Sequence, residues 1–155
     1  MSKPVPQPTA LAVVSTDRFG HPTYAFHREG TADRSLDVVE LCAALPESME
    51  ALHFGSLVLA QGQDWPIWKM IIEQARSRGA MIFFDPNVRL PLIDDLASYS
   101  DRLDDALCLA DLVKASDEDL AILYPEQDPV ERVETWVQQY ELRVGILTRG
   151  ARGAQ

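Results

Sequence analysis

The sequence runs to 155 residues, 46% hydrophobic and 25% charged, with a formal net charge of −10. That length and apolar share suit one soluble globular domain able to bury about two-thirds of its unfolded surface without a disulfide or metal staple. So acidic a surface repels phosphate backbones and anionic lipid, which argues against nucleic acid and membrane as partners, and no apolar run approaches the roughly 20 residues that span a bilayer.

Residues 1–8 carry prolines at 4, 6 and 8 and no apolar core, so they read as an extended lead-in rather than a signal peptide. Residues 10–16 (ALAVVST) and 23–28 (TYAFHR) flank Asp17-Arg18-Phe19-Gly20 and predict a hairpin, with Tyr24 and Phe26 on one face. Gly30 ends it, and the unit from 9 to 33 reads as a flap or lid. Residues 34–155 then read as an α/β core. Residues 51–59 (ALHFGSLVL) predict a buried strand with a close backbone approach at Gly55. Trp65, Trp68, Ile71, Ile72 and Ala75 recur at helical spacing over 65–78, and Gly79 fits the C-cap. Residues 80–84 (AMIFF) predict a central parallel strand covered on both faces.

A second helix is predicted over 92–109, then a short strand at Leu112-Val113. Ser116 reads as an N-cap with Asp119 completing an approximate capping box. A further helix over 129–139 leads to a strand over 143–148. Strands alternating with helices predict right-handed crossovers and a doubly wound, mostly parallel, three-layer sheet, to which the leading hairpin does not belong. Cys42 and Cys108 are far apart and lack ligand spacing, so they read as buried free thiols in a reducing, cytoplasmic setting.

Ligands of open α/β sheets bind beyond the carboxyl ends of the strands. Three such ends carry suggestive residues. In Phe84-Asp85-Pro86-Asn87-Val88-Arg89 the proline sets the turn, Asp85 and Asn87 offer hydrogen-bonding groups, and Arg89 offers a planar fork for hydroxyls or phosphates. Lys114-Ala115-Ser116-Asp117-Glu118-Asp119 is an acidic helix start able to sit near magnesium. Thr148-Arg149-Gly150-Ala151-Arg152-Gly153 is a strand followed by a glycine-containing loop that could cradle phosphate.

Taken in order with Tyr24 to Asp33 and Leu52-His53-Phe54-Gly55-Ser56, these motifs resemble the PfkB, or ribokinase-like, carbohydrate kinases, fructokinases in particular. The resemblance covers the chain from about residue 9 onward. It implies transfer of the γ-phosphoryl of ATP, with Mg2+, to a sugar hydroxyl. It places Phe26 and Arg28 on a lid over the sugar, and Asn87 and Arg89 between sugar and phosphates, with Arg89 neutralising charge during transfer. Ser116 and Asp119 stand where the family usually has Asn-x-x-Glu and orders magnesium and its waters; the shorter aspartate departs from that pattern. Thr148, Gly150 and Gly153 would line the nucleotide site.

Members of that family are longer than this chain. They open with a strand and a glycine-rich sugar-binding segment and carry a later Gly-Ala-Gly-Asp motif, whose aspartate is the general base. Neither element occurs in these 155 residues, so the chain alone is expected to be truncated with respect to the family and to show negligible turnover. Competing readings are a 2-keto-3-deoxygluconate kinase and a non-catalytic binding or interaction domain that pairs through the lid as a homodimer. Taken singly, each motif also has a plain structural reading: turn, helix cap or solvated ion pair. His27 and His53 read as packed histidines, Trp65, Trp68 and Trp136 as core, and the acidic run Asp94, Asp95, Asp101, Asp104 and Asp105 as a solvated helix face.

Overall fold

A computed structural model describes residues 4–20, 22–93 and 95–155. Residues 1–3 of the expected lead-in, and Asp94 of the acidic run, lie outside the described residues. The hairpin is present: β1 (Leu11–Thr16) pairs antiparallel with β2 (Pro22–His27), in a register that sets Val13 opposite Ala25 and Val14 opposite Tyr24. Its base is tied by a bond from the Ala32 N–H to the Pro8 carbonyl at 2.8 Å. Most of this two-stranded ribbon stays open: Leu11, Val13, Val14 and Tyr24 are all exposed, and Phe26 is half-buried.

The remainder is a four-stranded parallel sheet in the order β3-β4-β5-β6, formed by Ala51–Gly55, Met81–Asp85, Leu112–Ser116 and Val144–Thr148. It is connected through α2 (Trp65–Ser77), α3 (Leu96–Leu109), α4 (Asp117–Leu123) and α5 (Pro129–Gln139). Because every crossover is taken in the same direction, right-handed connections return each helix to the same face. The buried side chains follow that rule. Phe54, Ile82, Phe84, Val113, Ala115 and Leu147 alternate inward and join one cluster with Trp65, Ile72, Tyr99, Leu103, Leu120 and Trp136. The Phe54 and Phe84 rings stack with centroids 4.7 Å apart, a contact worth about 0.5–1.5 kcal/mol beyond burial.

Several expectations change. β4 is covered on one face only: Phe83 is half-buried and Met81 exposed, since all the helices share the opposite face. The described residues thus form two of the three layers expected. The first core strand stops at Gly55, whose Cβ position would lie 3.1 Å from the Asp85 carbonyl oxygen. Beyond it the chain turns inward, and the Leu59 carbonyl takes a 2.7 Å bond from Arg102 Nε instead of a sheet partner. The second helix begins at Leu96 rather than 92, because Asp95 caps it by accepting the Ser98 N–H at 2.7 Å. A helix absent from the sequence reading, α1 (Val38–Ala44), is capped by Asp37, buries none of its residues and packs on α2.

Cys42 is half-buried and Cys108 exposed, one position off the inward stripe of α3. His27 and His53 are both exposed rather than packed. Asp104 and Asp105 are partnered rather than merely solvated: Asp104 accepts from the Tyr140 hydroxyl at 2.7 Å, and Asp105 from Trp65 Nε1 at 3.1 Å.

Candidate active site

The carboxyl ends of β3 to β6 bring Gly55, Asp85, Ser116 and Thr148 to one edge, with Gly55 opposite Asp85 and Ser116 opposite Thr148. After β4 the chain makes a tight loop. Pro86 is fully buried, and Asn87 adopts φ 39°, a left-handed conformation that asparagine tolerates better than most residues. Arg89 folds back on this loop, its Nη1 donating to the Val88 carbonyl at 3.0 Å and to that of Asn87 at 3.4 Å. Asp85 pairs through Oδ2 with Lys114 Nζ at 3.1 Å, while its other oxygen is buried with no partner among the described residues. Asn87 also lines a pocket of about 420 Å³ with Phe54, Gly55, Leu57 and Trp68.

β5 ends in a capping box that holds the start of α4. The Asp119 N–H donates to Ser116 Oγ at 3.0 Å, and Asp119 Oδ2 accepts from Ser116 Oγ at 2.7 Å and from its N–H at 3.3 Å. The other Asp119 oxygen accepts the Val88 N–H at 2.7 Å. At 5% exposure the carboxylate is enclosed and already holds three bonds from the chain, so it does not fit a direct metal ligand. No group of three or more His, Cys, Asp or Glu able to hold a metal occurs among the described residues.

After β6, Thr148 donates to the Ala115 carbonyl at 3.4 Å, and the loop closes on itself. The Arg149 N–H donates to the Gly153 carbonyl at 2.8 Å and the Gly153 N–H to the Gly150 carbonyl at 3.1 Å. Gly150 (φ 53°) and Gly153 (φ 83°) supply the left-handed conformations this closure requires. With Arg149, Arg152, Asp117 and Glu118, Gly150 borders an open pocket of about 410 Å³. Arg152 reaches across it to pair with Asp117.

The hairpin reaches this edge through β2, which lies against the 3-10 turn Leu90–Leu92 that follows Arg89. Phe26 is half-buried and stacks on Tyr24, centroids 5.9 Å apart. Arg28 is held by Asp33, with Nε 2.8 Å and Nη2 2.7 Å from the same carboxylate oxygen. Burial alone would raise the Asp33 carboxyl, but hydrogen bonds from Thr31 and Arg28, together with the Arg28 charge, hold it below its ordinary value. Three pairings escaped the sequence reading: Lys114 with Asp85, Asp33 with Arg28, and Arg34 with Asp64 at the foot of the hairpin. Asp33 and Lys114 stood inside recognised motifs, but no local pattern announces which residue each would meet.

The sequence profile of the "pfkB family carbohydrate kinase" family matches residues 2–155. A fructokinase from Rhizobium leguminosarum bv. trifolii is 33% identical over 150 residues, 96% of this chain and 44% of that protein. The crystal structure of fructokinase from Vibrio cholerae O395 in apo form superposes with TM-score 0.77 at 26% identity, covering 96% of this chain and 50% of that one. The same enzyme in fructose, ADP and calcium ion bound form gives TM-score 0.72 at 26% identity over 92% of this chain and 46% of its own. The chain therefore spans about half the length of the relatives it matches.

Proposed function

This chain belongs to the pfkB family of carbohydrate kinases, and we propose that the protein it represents transfers the γ-phosphoryl group of ATP to a sugar hydroxyl, with fructose as the first candidate acceptor. The observation that carries this reading is the single edge shared by Asn87, Arg89, Ser116 and Thr148, overhung by the hairpin that bears Phe26 and Arg28. Phosphoryl transfer needs positioning and charge neutralisation more than covalent help from the protein. In this proposal Phe26 and Arg28 face the sugar, and Arg89 meets the transferred group. Asn87, Ser116, Thr148, Gly150 and Gly153 border the nucleotide. Fructose and ADP in the Vibrio cholerae enzyme favour this pairing of ligands.

Mg2+ enters the proposal as the companion of the ATP phosphates, supplying charge neutralisation there, and the Asp119 carboxylate would meet it only through water. The proposal also divides the chain into an extended lead-in (1–8), a lid (9–33) and a kinase core (34–155). The exposed apolar faces of β1 and β2 make the lid the candidate surface for a homodimer. Two unpaired cysteines fit a cytoplasmic setting, and no helix among the described residues is long and apolar enough to cross a membrane.

Isothermal titration of the purified chain with Mg-ATP and then fructose, beside an ADP-release assay on the protein that carries it, tests the reading. Nucleotide binding weakened about tenfold by Arg89→Ala, with fructose-dependent ADP release, is the expected result. A strong preference for a 2-keto-3-deoxy sugar acid would shift the assignment to that kinase. A folded protein that binds neither ligand would favour the interaction-domain reading.

A further inference from the structure

We propose that Asp119 is a positioning residue whose carboxylate clamps the Val88 peptide, fixing the loop that carries Asn87 and Arg89 to the first turn of α4. Val88 is 4% exposed and its N–H points into the protein, where water cannot replace a lost partner. The partner is Asp119 Oδ1 at 2.7 Å, thirty-one residues away in sequence. Its other oxygen is bound to Ser116, so one carboxylate bridges the end of β4 and the end of β5.

The clamp sits where the backbone needs it. Asn87 holds φ 39°, and unfavourable backbone conformations persist only when their surroundings over-determine them. Buried Pro86 fixes the residue before, and the Asp119 bond fixes the residue after. Arg89 then donates to the Val88 and Asn87 carbonyls, so its guanidinium is referenced to the same pair of peptides. Asp119 therefore acts on Arg89 through the Val88 peptide and not by direct contact. Ser116 is in register with Thr148, so the clamp also ties the loop after β4 to the strand end beside the glycine-containing loop.

Capping of α4 alone would explain the Ser116 bonds but not the one to Val88. Coordination of metal by Asp119 would require an oxygen that the chain has already engaged. The aspartate length matters here. A glutamate at this position still completes a capping box, yet its extra methylene moves the carboxylate off the Val88 N–H.

The proposal rests on the kinase reading only for what Arg89 does, so its test begins with a readout that needs no substrate. Amide hydrogen exchange at Val88 is followed by NMR in the 155-residue chain and its Asp119→Ala, Asp119→Glu and Ser116→Ala variants. Both Asp119 variants should speed exchange at Val88 by about tenfold, while Ser116→Ala frays α4 and leaves Val88 protected. If Asp119→Ala fails to fold, Asp119→Glu carries the comparison. Equal loss of Val88 protection in the Ser116 and Asp119 variants would reduce Asp119 to a helix cap and overturn the proposal. So would an Asp119→Glu chain with Val88 fully protected. In the active protein, Asp119→Glu should lower kcat while leaving KM for the sugar near its starting value. A higher kcat with tighter Mg2+ dependence would return Asp119 to the metal and likewise overturn the clamp.

Discussion

Arg34 and Asp64, thirty residues apart, form a two-bond ion pair at the foot of the lid, with Nε to Oδ2 at 2.8 Å and Nη2 to Oδ1 at 3.2 Å. Each side chain is only one-tenth exposed. Asp64 occupies the N-cap position of α2, yet its side chain makes no capping bond, because the carboxylate is committed to Arg34. A residue type that normally serves its own helix serves the lid instead.

Removing one partner of an enclosed pair leaves the other charge without compensation, which costs about 3–5 kcal/mol for a fully buried pair and somewhat less at this exposure. Asp64→Ala should therefore lower the melting temperature and speed proteolysis within the hairpin. The double variant with Arg34→Met should recover part of the loss. Cleavage at the wild-type rate in Asp64→Ala would show that the pair does not hold the lid.

Asp33 gives the lid a dependence on acid. Its folded pKa is depressed below the ordinary 3.8, so its contribution to stability is fully present above that value and is lost as pH falls through the lower folded value. The side chain is 38% exposed and screened, so the effect should be confined to the hairpin base rather than unfold the protein. The Arg28 Nε–H resonance, followed from about pH 5 to about pH 2, should move as the Asp33 carboxylate takes up a proton. Asp33→Asn should abolish that movement. A resonance indifferent to pH in the native chain would contradict the assignment.

Much of the frame was legible because it is written locally. An apolar run beside turn residues marked β1, alternation at Tyr24 and Phe26 marked β2, helical spacing marked α2, and the Ser116 and Asp119 pair announced a capping box that the structure contains. The short α1 was not legible, since it buries nothing and its only signal is the Asp37 cap. The candidate site was legible as an ordered set of motifs at strand ends. Its wiring was not: Asp119 to Val88, Lys114 to Asp85 and Arg34 to Asp64 each join residues some thirty positions apart. Such pairs follow from how the elements pack in three dimensions, which no window of sequence encodes.

At the opposite end of the sheet, Asp111 performs a similar task with a measurable consequence. It accepts the Ile82 N–H through Oδ2 at 2.8 Å and pairs with Arg143 Nε at 3.3 Å, joining the entries to β4, β5 and β6. Ile82 is fully buried, so its N–H would be orphaned in Asp111→Ala, at a cost of about 1–3 kcal/mol. Urea denaturation should show that loss. Asp111→Asn, which keeps an acceptor, should retain more stability than the alanine variant, and equal losses in the two would point to the charge rather than the bond.

Gly145, in β6, faces α5 with no room for a side chain. A Cβ there would lie 2.6 Å from Val133 Cγ1 and 2.7 Å from Val137 Cγ2. Both neighbours are β-branched residues in a helix, where χ1 is largely confined to one rotamer, so neither methyl can simply swing aside. Relief must come from moving α5 off the sheet, which would loosen the seat of Trp136, a fully buried residue of the same helix. Gly145→Ala should accordingly destabilise the chain by about 1–3 kcal/mol, against the small gain expected where a strand glycine has space. Combining it with Val137→Ala, which removes one of the two clashing methyl groups, should cost less than the sum of the single changes. A Gly145→Ala variant as stable as the native chain, measured by urea denaturation, would show that α5 is free to shift and that this contact does not set its distance from β6.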